Sequence, residues 1–231
     1  MDAEPPVAER PPEATITPDA GVPLIRAFRS PRFRLILALF LIGLGIAAQV
    51  VLFSAAFEYS GTDANDFNAY RLAAIRLIEG EPLYLPDQLA GAINASTDSA
   101  FLYPPFLAQV LAPIGHLPEQ VASSLWYVIQ LAVMWAAVWL ASGLGGAKRS
   151  VERALWTTVA VLLFMPVLVT LWYGNVSTVV ALGATLVAFG GGVAGVAAAI
   201  VTLVKVSPVA YLPAVAVMGR RSLLALTATL L

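Results

Sequence analysis

The sequence contains no cysteine and a single histidine. The absence of cysteine excludes disulfide bonds, catalytic thiolates and zinc–thiolate sites. One histidine leaves no cluster of histidine ligands for a metal and no ordinary Ser-His-Asp triad. We therefore expect neither a metal ion nor another cofactor.

Charge is also scarce. Only 12% of the 231 residues are charged, against about 25% in soluble domains. Hydrophobic residues make up 59% of the chain and are arranged in long runs, which is typical of transmembrane helices. The net charge of −1 gives no indication of nucleic-acid binding. The predicted fold is all-α, a polytopic transmembrane helix bundle surrounded by membrane lipids.

The N-terminal region indicates the orientation of the chain. Residues 1–23 are rich in proline, alanine and acids without periodicity, which predicts a disordered tail. Four arginines then stand directly before or at the start of the first apolar run, 33–57: Arg26, Arg29, Arg32 and Arg34. By the positive-inside rule this end and its tail are cytosolic. We expect the remaining residues, 24–231, to form one membrane domain in the cell membrane.

The first apolar run is long enough to cross the bilayer, so it delivers residues 58–100 to the outer face. This loop is acidic, with only two arginines, Arg71 and Arg76, against seven acids: Glu58, Asp63, Asp66, Glu79, Glu81, Asp87 and Asp98. Within it, apolar residues from Phe67 to Ile78 recur with near-helical spacing. The pattern predicts a one-sided helix that begins at Asp66, ends at Gly80 and lies along the membrane surface.

Five further apolar segments follow. Residues 121–141, 154–172 (kinked near Pro166), 175–190 and 193–218 are predicted to cross the membrane. The short segment 101–117 fits either a broken crossing or a re-entrant hairpin, and we favour the crossing. That choice puts the basic loop 142–153 outside, against its charge, but a total of six crossings brings Arg220 and Arg221 back inside. The abrupt end within SLLALTATLL suggests a truncated chain.

Several polar residues stand out against this background, each with an alternative interpretation. Asp66 is either a helix cap or a general base held just outside the bilayer, and Asp63 competes for that role. Lys205, inside an apolar run, either snorkels to the interface or binds a phosphate. Asn175 and Ser177 occupy a helix break. The spacing of Gly183, Gly191 and Gly195 indicates close helix packing.

The order of these motifs resembles a known family. DFNAYRLAAIRLIEGEPLY, FLYPPFLAQVLAPIGHLP, YGNVS, KVSP and GRR are similar to segments of glycosyltransferase family 87, the polyprenol-phosphate-mannose-dependent mannosyltransferases of the GT-C fold class. The resemblance implies a membrane hexosyltransferase that moves a sugar, mannose in this family, with inversion. The donor would be a polyprenyl-phosphate-linked sugar, and the acceptor a lipid or glycan hydroxyl on the outer face.

The resemblance also assigns site residues. Asp66 matches the expected general base, and Tyr103, with two prolines after it, matches an aromatic-Pro-Pro motif. Lys205 and Pro208 match a Lys-x-x-Pro pattern that either lies near the donor phosphate or is structural. We expect substrate binding by Tyr70, Arg71, Tyr103, Asn175 and Lys205. Two features depart from the family: Gly-Asn-Val-Ser at 174–177 replaces the usual Gly-Gln-x-Asn, and the chain is short.

Two other functions compete with this interpretation. A polytopic transporter or a flippase for lipid-linked sugars would use Lys205 to line a translocation path. An inactive, truncated membrane protein is the third alternative.

Overall fold

The computed structural model describes residues 27–59, 66–86 and 100–230. The tail 1–23, Asp63 and most of the second half of the acidic loop lie outside these residues. The described chain is helical and contains no strand. Its helices are α1 (Pro31–Tyr59), α2 (Asp66–Glu79), α3 (Pro105–Gly115), α4 (Glu119–Leu144), α5 (Val151–Leu163), α6 (Met165–Tyr173), α7 (Ser177–Ala188), α8 (Gly191–Val204), α9 (Leu212–Val217) and α10 (Arg220–Leu230), with a 3-10 turn at Ser207–Tyr211. The all-α prediction is confirmed.

The chain forms two units, 1–37 and 38–231. In the described part of the first, the Ser30 hydroxyl accepts a hydrogen bond from the Phe33 amide at 3.4 Å. Serine before a proline is a favourable helix start, because proline needs no amide partner in the first turn. The Phe28 and Phe33 rings meet edge to face at 5.4 Å, and Arg34 donates to the Phe28 carbonyl at 3.1 Å.

Two helices match predicted spans. The apolar stretch Pro31–Ala55 of α1 and the whole of α4 are long and apolar enough to cross a membrane. The α5–α6 pair forms a third candidate with a bend of 59°. The bend lies close to Pro166, where the sequence predicts a kink. Proline has no amide hydrogen to donate to the Leu162 carbonyl, four residues earlier. The Gln49 side-chain amide of α1 donates to that carbonyl instead, at 3.1 Å.

Helix α3 is short. Its 11 residues span about 16 Å at 1.5 Å per residue, roughly half of the ~30 Å hydrocarbon core. A helix of this length fits the re-entrant alternative for 101–117 better than the crossing that we favoured. Gly115 at its C-terminal end lies against α2, because a Cβ built there would meet the Ala74 Cβ at 3.4 Å.

The prediction of one continuous segment over 193–218 is wrong. Helix α8 ends at Val204, and Lys205 adopts an extended conformation with φ −148° and ψ 132°. Pro208 explains the break, because in a continuous helix its ring would clash with the carbonyl of Val204. The chain resumes as the 3-10 turn and α9, so Lys205 separates α8 from these two shorter elements.

Small residues permit the close packing of the C-terminal helices. A Cβ on Gly195 of α8 would collide with the Ser222 carbonyl of α10, and one on Gly183 of α7 would collide with the Val201 side chain. The Ser222 hydroxyl donates to the Gly191 carbonyl at 2.7 Å, which joins the starts of α8 and α10. The predicted packing role is confirmed at Gly183 and Gly195.

Candidate functional site

The site begins at the first residue of α2. The predicted helix is confirmed here, and it buries an apolar face formed by Phe67, Ala69, Tyr70, Ala73 and Ala74. Asp66, on the first turn, is half-buried. Its carboxylate accepts a hydrogen bond from the side-chain amide of Asn175. The helix therefore presents an acid at its N-terminal end, where the helix dipole favours a negative charge.

Asn175 lies in the turn between α6 and α7. Gly174 ends α6 in the left-handed region with φ 66°, a conformation that glycine adopts without steric cost. The Asn175 Oδ1 atom accepts from the Ser177 amide at 2.9 Å and from the Ser177 hydroxyl at 2.5 Å. A backbone amide can only donate, so the oxygen of Asn175 must face Ser177. The Nδ2 group is thereby turned towards Asp66.

Tyr103 adds a phenol to this pair. The Asn175 Nδ2 atom is 3.4 Å from the Tyr103 hydroxyl. Tyr103 precedes Pro104, whose φ of −57° and ψ of 151° continue the extended chain up to α3. Its carbonyl accepts a hydrogen bond from the Tyr84 hydroxyl at 3.0 Å. Tyr103 is thus held beside Asn175, one extended residue before α3 begins at Pro105.

Tyr70 lies behind Tyr103. The two rings meet edge to face at 4.8 Å, and Tyr70 is only 1% exposed. Its buried hydroxyl forms no hydrogen bond with the described residues. The pKa of Tyr70 is raised above its usual value, mainly because the phenol is buried. The Tyr103 hydroxyl and the Asp66 carboxylate raise it further. Burial likewise raises the pKa of Tyr103. Both phenols therefore keep their protons at physiological pH.

Lys205 brings a positive charge to the same cluster. The break after α8 orients its side chain so that Nζ lies 5.8 Å from the centre of the Tyr103 ring. This distance is within the range of a cation–π contact. Lys205 is half-buried. Successive contacts thus link the Asp66 carboxylate, the Asn175 amide, the Tyr103 phenol and the Lys205 ammonium, although they come from four parts of the chain.

Arg71 does not join this cluster. Its guanidinium donates to the Leu117 carbonyl at 3.1 Å, beyond the C-terminal end of α3. The neighbouring Tyr70 faces Tyr103, so consecutive residues of α2 point to different parts of the structure. Of the five expected substrate-binding residues, the structure brings together Tyr70, Tyr103, Asn175 and Lys205.

Sequence reasoning did not identify Trp126. Its indole Nε1 donates to the Gly174 carbonyl at 2.7 Å, and its ring stacks on Phe67 with centroids 5.5 Å apart and planes at 16°. Tyr70 meets the same indole edge to face at 6.5 Å. An aromatic residue within an apolar helix carries no sequence signal that separates this position from lipid-facing ones.

The described residues hold no group of three or more histidine, cysteine, aspartate or glutamate side chains that could bind a metal ion. The cluster itself offers the carboxylate of Asp66, the amide of Asn175, the phenols of Tyr70 and Tyr103 and the ammonium of Lys205. Such a set can accept a proton and neutralise an anion.

One comparison with known proteins identifies a family. A model of glycosyltransferase family 87 matches residues 101–231, which is more than half of the chain. The matched region includes Tyr103, Asn175 and Lys205, whereas Asp66 and Tyr70 precede it. No curated protein and no solved structure matches the chain. The family match, together with the membrane-spanning helices, shows that this chain belongs to glycosyltransferase family 87.

Proposed function

We propose that this membrane glycosyltransferase transfers mannose from a polyprenyl-phosphate donor to an acceptor hydroxyl on the outer face, with Asp66 as the general base. The observation that carries the proposal is the cluster of Asp66, Asn175, Tyr103 and Lys205, which combines a proton acceptor with a cation. Family membership supports sugar transfer, and the resemblance of the motifs to mannosyltransferases supports the identity of the donor.

The chemistry follows from these groups. Asp66 takes the proton of the acceptor hydroxyl while the acceptor oxygen bonds to the anomeric carbon. The bond from that carbon to the phosphate oxygen breaks, and its electron pair leaves with the polyprenyl phosphate. A direct displacement inverts the configuration at the anomeric carbon. General base catalysis contributes about 10²- to 10⁴-fold to such a step.

Lys205 is suited to the leaving phosphate. An ammonium neutralises a phosphate as a point charge, and charge stabilisation in a partly buried site is stronger than in water. The Tyr103 ring beneath Nζ orients the side chain. Asn175 keeps the carboxylate of Asp66 in one orientation, so the proton acceptor need not be reorganised when the acceptor hydroxyl binds.

Asp66→Asn tests the base assignment. Asparagine keeps an oxygen that can accept from Asn175, but it cannot take up a proton. In membranes supplied with radiolabelled polyprenyl-phosphate mannose, we expect transfer to fall at least about a hundredfold. Glu81→Gln is the matched control, because Glu81 is an exposed acid of the same loop and should retain full transfer. Undiminished transfer by Asp66→Asn would overturn the assignment.

Two additional measurements address the donor and the stereochemistry. Unlabelled polyprenyl-phosphate mannose should compete with the label, whereas polyprenyl-phosphate glucose should not. NMR of the product should show the anomeric configuration opposite to that of the donor. Retained configuration would exclude direct displacement, and equal competition by glucose would exclude specificity for mannose.

We also infer a revised membrane topology for this site. If 101–117 crossed the membrane, the turn at Asn175 would lie on the inner side, opposite Asp66, yet the two side chains are hydrogen bonded. Both ends of the 101–117 segment contact α2, through Tyr103 beside Tyr70 and through the Leu117 carbonyl bonded to Arg71. These contacts support a segment that enters and leaves on the outer side.

The remaining chain agrees with this topology. Helix α4 then runs inward, so the basic residues Lys148, Arg149 and Arg153 are cytosolic, as their charge favours. The bent α5–α6 pair returns to the outer side at Asn175. Helix α7 runs inward and α8 runs outward, which brings Lys205 to the same side as Asp66 and Asn175.

A further inference from the structure

We infer that Trp126 is a positioning residue that holds the Asp66–Asn175 pair together by binding both of its chain segments at once. This inference rests on the proposed function, because it assigns Trp126 a role through the base Asp66. Trp126 acts through the neighbours of the two paired residues, Phe67 and Gly174.

The first contact fixes the turn before Asn175. Gly174 ends α6, and carbonyls at the C-terminal end of a helix lack partners within that helix. The Trp126 indole nitrogen, which can only donate, supplies a hydrogen bond to the Gly174 carbonyl at 2.7 Å. Gly174 is buried, so this carbonyl would be left without a partner if the indole N–H were removed. The bond therefore holds the turn that positions the amide of Asn175.

The second contact fixes the helix turn that bears Asp66. Phe67, the next residue, is 2% exposed and stacks on the Trp126 ring at 5.5 Å with an interplanar angle of 16°. Tyr70, one helical turn later, meets the same ring at 6.5 Å and 83°. Phe67 and Tyr70, on one face of α2, thus contact the same indole ring. These two contacts fix the rotation of the helix about its axis.

The two contacts use different parts of one side chain. The face of the indole ring stacks on Phe67, which follows Asp66. The ring N–H donates to the carbonyl of Gly174, which precedes Asn175. Displacement of a catalytic group by about 1 Å can cost 10²-fold in rate. Loss of either contact should therefore lower the maximal rate while leaving the affinity for the donor nearly unchanged.

Trp126→Phe tests the N–H contact alone, since phenylalanine retains an aromatic ring for Phe67. With donor concentration varied in membranes containing their own acceptor, we expect the maximal rate per unit of protein to fall by up to about tenfold, no more than in Asn175→Ala. The KM for polyprenyl-phosphate mannose should change by less than about twofold, because the donor interactions of Lys205 are intact.

Trp135→Phe is the matched control on the same helix. It also removes an indole hydrogen bond, from Nε1 to the Thr158 hydroxyl at 3.1 Å, but it lies away from the site. We expect its thermal stability to fall by a similar amount and its rate to be unchanged. Equal losses of rate in the Trp126 and Trp135 variants would show a merely structural role and overturn the inference.

A double-mutant cycle separates positioning from general stability. If Trp126 acts through Asn175, then Trp126→Phe should have little further effect on the rate in an Asn175→Ala background. Additive losses would overturn the inference. Phe67→Leu gives an independent readout of the stacking contact, and we expect a lower maximal rate at unchanged KM.

The proposed function can be tested separately. If Trp126→Phe keeps the full rate while Asp66→Asn is inactive, the positioning role is wrong and the base assignment remains. If Asp66→Asn itself transfers sugar normally, the base assignment fails, and the positioning role fails with it.

Discussion

The carboxylate of Asp66 is hydrogen bonded to the side-chain amide of Asn175, 109 residues later in the chain. The direction of this bond is determined by Ser177, whose amide and hydroxyl both donate to the oxygen of Asn175. The acid and the amide are thus one unit that joins the first turn of α2 to the turn before α7. Because these side chains form one unit, substitutions within it should lower the transfer rate to different extents, according to which hydrogen bond each one removes.

Asn175→Ala and Ser177→Ala should differ in severity. The first removes the donor to Asp66 and should lower the rate by about tenfold, the equivalent of a hydrogen bond worth about 1.4 kcal/mol. The second removes only the hydroxyl contact and leaves the Ser177 amide to orient Asn175, so we expect a loss of about two- to threefold. Transfer rates from radiolabelled polyprenyl-phosphate mannose measure both. Equal rates in the two variants would contradict the oriented-amide arrangement.

Lys205→Met should impair use of the donor, because it removes the ammonium over the Tyr103 ring while keeping an unbranched side chain. We expect kcat/KM for the polyprenyl-phosphate donor to fall by at least about tenfold. Lys205→Arg should recover part of this loss, since it restores the charge with a different shape. Lys148→Met, which alters an exposed lysine, serves as the control and should behave as wild type. Normal kinetics in Lys205→Met would exclude a role in phosphate binding.

Much of the helical layout could be predicted from the apolar runs. The spans 33–57 and 121–141 and the helix from Asp66 match observed helices closely, because length and periodicity are local properties of the chain. The break at Lys205 was missed because hydrophobic residues continue on both sides of it. Pro208 was the available signal, since a proline interferes with the helix four residues earlier.

The site was predictable in its residue types but not in its contacts. Asp66, Asn175 and Lys205 stand out because polar groups are rare among apolar helices. Their pairing depends on which side of the membrane each turn occupies, and the crossing favoured at 101–117 would place Asn175 on the side opposite Asp66. The role of Trp126 depends on helix rotation and on the position of the Gly174 carbonyl, which hydropathy does not encode.

Gly195→Ala should destabilise the packing of α8 on α10. The added Cβ would collide with the Ser222 carbonyl, so the helices must separate, at a cost of about 1–3 kcal/mol. Gly43→Ala is the matched control, because a Cβ there meets no atom within 4 Å and alanine favours the helix. Thermal unfolding in detergent should show a lower midpoint only for Gly195→Ala. An unchanged midpoint would show that α8 and α10 are not closely packed in the protein.

The membrane topology can be tested directly because the chain contains no cysteine. We expect a membrane-impermeant maleimide to label Glu81→Cys, in the acidic loop after α1, on intact cells. Ala147→Cys, in the exposed basic loop after α4, should be labelled only after permeabilisation.

The crossing and re-entrant alternatives for 101–117 differ at this second position. A crossing would bring Ala147→Cys to the outer surface, and it would then react on intact cells. The hydrogen bond between Asp66 and Asn175 requires the opposite result, because an even number of passages must separate the two residues. Helix α4 and the α5–α6 pair supply two, and a third passage at α3 would separate the base from its amide. Labelling of Ala147→Cys on intact cells would therefore contradict both the topology and the assembled site.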